Sequence, residues 1–231
     1  MSFLMKVFAR TATGAVLMLS CLALLASVTN SISVDMTEQL FDAAAQNDVE
    51  QIREAINSGL PVDLRNGEGR TALLIATRAN AVHAARSLID LGADVNAKDH
   101  IEDSPFLYAG AEGRLDILKM TVDAGADLGS TNRYGGTALI PAAHHGHVDT
   151  VRYLLTTDID INHINKLGWT ALLEAVILGD GGPAYQEIVK LLLEAGASSS
   201  IADGEGVTPL QHADRRGYTA LADMIRGASG K

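Results

Sequence analysis

One cysteine, Cys21, is present in 231 residues, and aromatic residues make up 4% of the chain with a single tryptophan, Trp169. A lone thiol excludes an internal disulfide framework and a cysteine-based zinc site. With so few rings, the core has to be built from alanine, leucine and other aliphatic side chains, which favours helices packed at close range. Acidic residues are missing before Asp35, where the only charges are Lys6 and Arg10. The formal net charge is -10, and beyond that first segment 16 basic residues face 28 acidic ones. A surface this acidic repels phosphate backbones at long range, which argues against nucleic acid as a partner.

The N-terminal stretch has two early cations, an apolar run from Ala15 to Val28 and a small polar exit. That is the layout of a secretory signal over residues 1–33, and three fates stay open for it. It is cleaved between Ala26 and Ser33, or it is retained as a membrane anchor, or it is lipidated at Cys21. Contact with a membrane is expected only through this anchor or lipid. The expected location is the periplasm or the exterior, or a membrane-anchored position facing the periplasm. Loss of Cys21 on cleavage would leave a mature chain with no thiol, suited to an oxidising compartment.

The remainder repeats. TALL at Thr71, SPFL at Ser104, TALI at Thr137, TALL at Thr170 and TPLQ at Thr208 are separated by 33, 33, 33 and 38 residues, the last interval carrying an insert around GDGGP, 179–183. A period near 33 residues must be resolved before any motif is read. Each threonine or serine can cap a following helix, and Pro105 and Pro209 fall in the first turn, where a missing amide hydrogen costs nothing. Small pairs such as Ala43 with Ala44 and Ala142 with Ala143 permit close helix approach. Gly113, Gly146, Gly179 and Gly217, with Asn47 and Asn80, fit a left-handed residue ending each first helix. Second helices follow, closed by Gly92, Gly125 and Gly196, and an extended stretch returns through a loop. Two places depart from the pattern: TTDID at 156–160 replaces a glycine turn, and IED at 101–103 lacks the glycine of the loop tip.

On these in-phase copies the chain strongly resembles the ankyrin repeat family, whose unit contains T-P-L-H-x-A-A, G-H and L-L-x-x-G-A-D-V-N. The resemblance covers residues 36–228 in six units: 36–68, 69–101, 102–134, 135–167, 168–205 and 206–228, with 229–231 as a tail. It implies an all-α solenoid of helix-turn-helix units joined by β-hairpin loops, its first and last units acting as caps with one wet face.

Three histidines within four positions, His144, His145 and His147, raise the question of a metal site. In register, His147 stands at the family's G-H dipeptide, where a turn-fixing hydrogen bond is its expected role. His144 and His145 are adjacent, so their rings are expected to diverge, whereas metal pairs on a helix prefer a spacing of four. GEGR and GDGG lack the strand and lysine of a phosphate loop, and no nucleophile sits in an elbow. Neither a catalytic centre nor a metal or cofactor is expected.

The resemblance implies a protein partner, bound on the concave face by hairpin tips and first-helix ends. Read down the stack, that surface comprises Ile101, Arg133, Tyr134, His144, His145, Leu167, Trp169, Ile177, Leu178, Arg215 and Arg216. Tyr134, Leu167, Trp169, Ile177 and Leu178 are the expected anchor, because large rigid side chains dominate interface hot spots. A local alternative folds Leu167 and Trp169 over their own hairpin and Ile177 and Leu178 under the insert, which also brings Pro183 and Tyr185 to the groove edge. The expected protein is a monomer and a noncatalytic recognition module. Small secreted relatives suggest two further readings, an inhibitor or immunity protein against a toxic enzyme and an accessory factor for an oxidative-stress enzyme.

Overall fold

The computed structural model describes residues 36–229, which form twelve helices in six stacked pairs. The signal segment and Cys21 lie outside the described residues. The inner helices are α1 (36–46), α3 (Ala72–Arg78), α5 (Pro105–Ala111), α7 (Leu139–His144), α9 (Ala171–Leu178) and α11 (Pro209–Arg215). The outer ones are α2 (Val49–Asn57), α4 (Val82–Asp90), α6 (Leu115–Asp123), α8 (Val148–Leu154), α10 (Pro183–Glu194) and α12 (Thr219–Ser229), the last running one residue into the expected tail. From α3 to α11 each inner helix packs on the next inner one, and from α2 to α12 each outer helix on the next outer one. No described helix is long and apolar enough to cross a membrane.

The aliphatic core forms as the composition requires. Leu73, Phe106, Leu139 and Leu172 occupy one position of successive inner helices and are all but fully buried. Ala43, Ala44, Ala142 and Ala143 are buried between helices. At Gly110 a methyl group would come within 2.8 Å of the Ala138 Cβ, so a glycine inside α5 is what lets α7 approach so closely.

Four of the five expected caps form. Thr71, Ser104, Thr170 and Thr208 accept from the amides of Leu74, Leu107, Leu173 and Gln211, and Gln211 completes a capping box. Thr137 is the exception: it is buried, its hydroxyl has no partner, and α7 starts only at Leu139. The cause is Pro141. In the other units the residue four beyond the cap donates to the cap carbonyl, as Ile75 does to Thr71 and Glu174 to Thr170. Pro141 has no amide hydrogen, so the Ile140 amide takes the Thr137 carbonyl at 3.2 Å and is lost to the hydroxyl.

Left-handed residues end the first helices at Asn47, Asn80, Gly113, Gly146 and Gly217. Gly179 departs from the expectation: its φ is -70°, and the positive angle falls to Gly181, because the inserted residues carry the chain onward before it turns. At 156–157 the absent glycine is replaced by hydroxyls, with Thr156 Oγ1 donating to the Tyr153 carbonyl and Thr157 Oγ1 to that of Leu154.

The hairpin loops are built alike. In each, an Asn or Asp at 66, 99, 132, 165 or 203 accepts with its Oδ1 from the amides two and four residues ahead, at 2.9–3.1 Å. The amide of that Asn or Asp also donates to the carbonyl four residues on, which closes the loop. Among the described residues the only β pairing is a single bridge between Arg65 and Thr71, so these are tight turns rather than extended hairpins.

Loop two keeps this geometry without glycine: Glu102 takes φ 66°, where the other loops have Gly69, Gly135, Gly168 and Gly206. A left-handed side-chain-bearing residue costs ~1–2 kcal/mol, partly offset by the lower entropy it surrenders on folding. Glu102→Gly is therefore expected to stabilise the protein by about 1 kcal/mol in urea denaturation; an unchanged midpoint would show that the loop holds no strain there.

Candidate recognition groove

The inner-helix ends and loop tips of units two to five enclose a cavity of about 510 Å³ that opens along the concave face. Seven residues singled out from the sequence line it: Ile101, Arg133, Tyr134, His144, His145, Leu167 and Leu178. Tyr134 and Leu167 are about half exposed, as tips of turns whose amides are held by Asn132 and Asn165. Leu178, at the C-terminal end of α9, is also exposed.

Four others stand elsewhere. Trp169 and Ile177 are half-buried and do not line the cavity, and Trp169 closes its own loop, its amide donating to Asn165 Oδ1 and its carbonyl accepting from the Asn165 amide. Exposed Arg215 lies in the last unit, and Arg216 donates to the Gly179 carbonyl and the Tyr218 hydroxyl. Of the expected anchor, the groove thus unites Tyr134, Leu167 and Leu178. The insert is fastened from both sides: the Tyr218 hydroxyl also donates to Gly179, and the Tyr185 hydroxyl donates to the His144 carbonyl at 2.8 Å. Pro183, the first residue of α10, does not line the groove.

The histidine rings do not diverge. His144 and His145 stack at 4.6 Å with a 44° tilt, and His147 meets His145 edge-on at 5.9 Å. His145 Nδ1 lies 2.6 Å from the Ala111 carbonyl, and His147 covers Gly113, so two of the three rings fasten unit four to the turn of unit three. Burial, helped by the charge of His145, holds His144 and His147 below the usual imidazole value. No set of three His, Cys, Asp or Glu among the described residues is arranged to hold a metal.

The lining residues that sequence reasoning missed include Arg78, Tyr108, Pro141 and Glu174. Arg78 lies over the Tyr108 ring at 4.4 Å and Arg133 over Tyr134 at 4.8 Å. Between them, Asp103 stands 3.6 Å from Arg78 and 3.8 Å from Arg133. Burial and the neighbouring Asp99 carboxylate nevertheless raise the Asp103 pKa. At the other end Glu174 is buried, and Asn165 Nδ2 donates to its Oε1 at 2.9 Å. Its Oε2 lies 3.4 Å from His144 Nδ1. Burial pushes Glu174 up to about 7, although the Asn165 bond and the charge of His145 act in the opposite direction. The position is the fifth of the T-x-x-x motif and its extension; its counterparts are Ile75, Tyr108, Pro141 and His212.

Models of ankyrin repeats match residues 40–86 and 106–203, in phase with the stacked pairs. The crystal structure of an ankyrin repeat domain from Acinetobacter baumannii AYE superposes with a TM-score of 0.80 at 57% identity, covering 82% of this chain and 97% of that one. The chain belongs to the ankyrin repeat family. A putative ankyrin repeat protein, YahD of Escherichia coli (strain K12), is 47% identical over 55 residues, which are 24% of this chain and 27% of that protein. The ankyrin repeat domain of Bcl-3, a member of the IkappaB protein family, aligns over 82% of this chain and 85% of its own length, at 26% identity and a TM-score of 0.75. Ankyrin repeats are protein-interaction modules, generally without enzymatic activity of their own, so the groove is read as a binding surface.

Proposed function

We propose that the protein is a noncatalytic recognition module, exported to the periplasm, that docks a partner protein in the groove of units two to five. One observation carries this reading. Tyr134, Leu167 and Leu178 expose large apolar surface toward one cavity, while the loops and helices that present them are closed by backbone and Asn bonds that do not involve those side chains. The acidic remainder of the surface favours a protein over nucleic acid.

Affinity capture from periplasmic extract, followed by a binding titration with the captured protein, tests the reading. Tyr134→Ala combined with Leu167→Ala is expected to weaken binding by ~2 kcal/mol or more, roughly thirty-fold. Ile164→Ala is the control, since Ile164 is equally exposed but lies off the groove. Equal losses in the two variants would dismiss the groove as the docking site. Mass spectrometry of the N-terminus in the periplasmic fraction tests export, which fails if the chain stays in the cytoplasm. Activity of the captured partner, if it is an enzyme, separates an inhibitor from an accessory factor.

A further inference from the structure

We propose that the groove receives a basic side chain, lysine or arginine, of the docked partner, seated against the carboxylate of Glu174. The inference rests on the docking role just proposed and gives the partner a chemistry.

The charges that line the cavity are unevenly paired. Arg78 and Arg133 share one carboxylate, Asp103, and each lies on a tyrosine ring. Two further carboxylates line the cavity: Glu112, exposed at the end of α5, and Glu174, which is buried. Glu174 has a side chain only 8% exposed, and among the described residues no lysine or arginine forms an ion pair with it. Oε1 is fixed by Asn165, whose own Oδ1 is committed to the Leu167 and Trp169 amides and so cannot turn away. Oε2 has only His144, 3.4 Å away, an imidazole that burial holds toward its neutral form.

The other cations of the surrounding elements are engaged elsewhere or exposed: Lys166 donates to the Arg133 carbonyl, Arg216 to the Gly179 carbonyl, and Arg215 faces solvent. From α7 come His144 and the adjoining His145; from α10 comes Tyr185, occupied with the His144 carbonyl; on α11 the counterpart His212 is engaged by Asp203 at 2.7 Å. A buried carboxylate with no counter-charge is unfavourable, and an incoming ammonium or guanidinium relieves it. The walls suit the stem of such a side chain. Ile140, Pro141, Leu167 and Leu178 supply apolar surface for its methylenes, and Tyr134 supplies an aromatic face.

The test is an NMR titration of the full chain with three amidated, acetylated amino acids: arginine, the isosteric but neutral citrulline, and glutamate. The arginine probe is expected to perturb Leu167, Leu178 and His144 and to bind at least tenfold more tightly than citrulline at pH 8. That preference should shrink at pH 5.5, where Glu174 takes up a proton, and vanish in Glu174→Gln. Equal binding of arginine and citrulline, a preference for glutamate, or an arginine preference that survives Glu174→Gln would each overturn the proposal. A captured partner that depends on Tyr134 and Leu167 but is indifferent to Glu174→Gln would leave the docking role standing and remove only this refinement.

Discussion

Replacing Phe106 by alanine is expected to remove ~3–5 kcal/mol of folding stability. Phe106 is fully buried, is the largest such side chain among the described residues, and belongs to α5 near the middle of the stack. Its counterparts in other units are leucines, so the third unit has been filled by a ring and a methyl-free Gly110 lets α7 close over it. Truncation leaves a cavity that rigid neighbouring helices cannot collapse. Because each unit touches only its neighbours, damage at the centre also uncouples the two ends. Urea denaturation should therefore show both a lower midpoint and a shallower slope. Leu210→Ala, at the same position of the last unit but only partly buried, should cost less and leave the slope intact. A loss below about 1 kcal/mol for Phe106→Ala would mean that the stack repacks freely, contrary to dense core packing.

Glu174→Gln should act in the other direction and depend on pH. The carboxyl group ordinarily titrates near 4.5 and in the folded protein near 7. A folded state that holds its proton more tightly than the unfolded state loses stability as pH rises between those two values, then levels off. The full shift corresponds to ~3 kcal/mol, and with solvent screening about 2 kcal/mol is expected. Glutamine has the same shape, keeps the bond from Asn165 Nδ2 and never ionises. The variant should therefore match the parent below pH 4 and exceed it by about 2 kcal/mol at pH 8. Chemical denaturation at several pH values reads this directly. Parallel curves for the two proteins would show that Glu174 is solvated in the folded chain.

The backbone of this protein was largely legible in its residues, because the repeat is dictated by local chemistry: a hydroxyl to cap, an Asn or Asp to hold a loop, a glycine or asparagine to turn. Exceptions arose where one residue altered its neighbour's bonds. Pro141 deprived Thr137 of its capping role, and the insert moved the left-handed turn from Gly179 to Gly181. Glu102 accepted a glycine's conformation, so the loop without glycine stayed regular.

The groove was legible only at its tips. Ile101, Tyr134 and Leu167 follow the loop Asn or Asp by two residues, a spacing that can be read from sequence. Glu174 was hidden inside a TALL motif and looked like part of a helix. The available signal was that its column holds Ile75, Tyr108 and Pro141 before it, so an acid there is out of keeping with its surroundings. Trp169 drew notice as the sole tryptophan, but hot-spot composition says nothing about direction, and the residue is half-buried outside the cavity lining.

Successive units are also stitched on the side away from the loop tips. Asp63 accepts from the Asp94 amide, Asn96 from that of Asp127, and Asn162 from that of Ser198. In unit three the corresponding residue is Gly129, which has no side chain to offer, and α6 and α8 pack most lightly of the adjoining outer helices. That joint lacks the amide stitch and leans instead on imidazoles, His145 against the Ala111 carbonyl and His147 over Gly113.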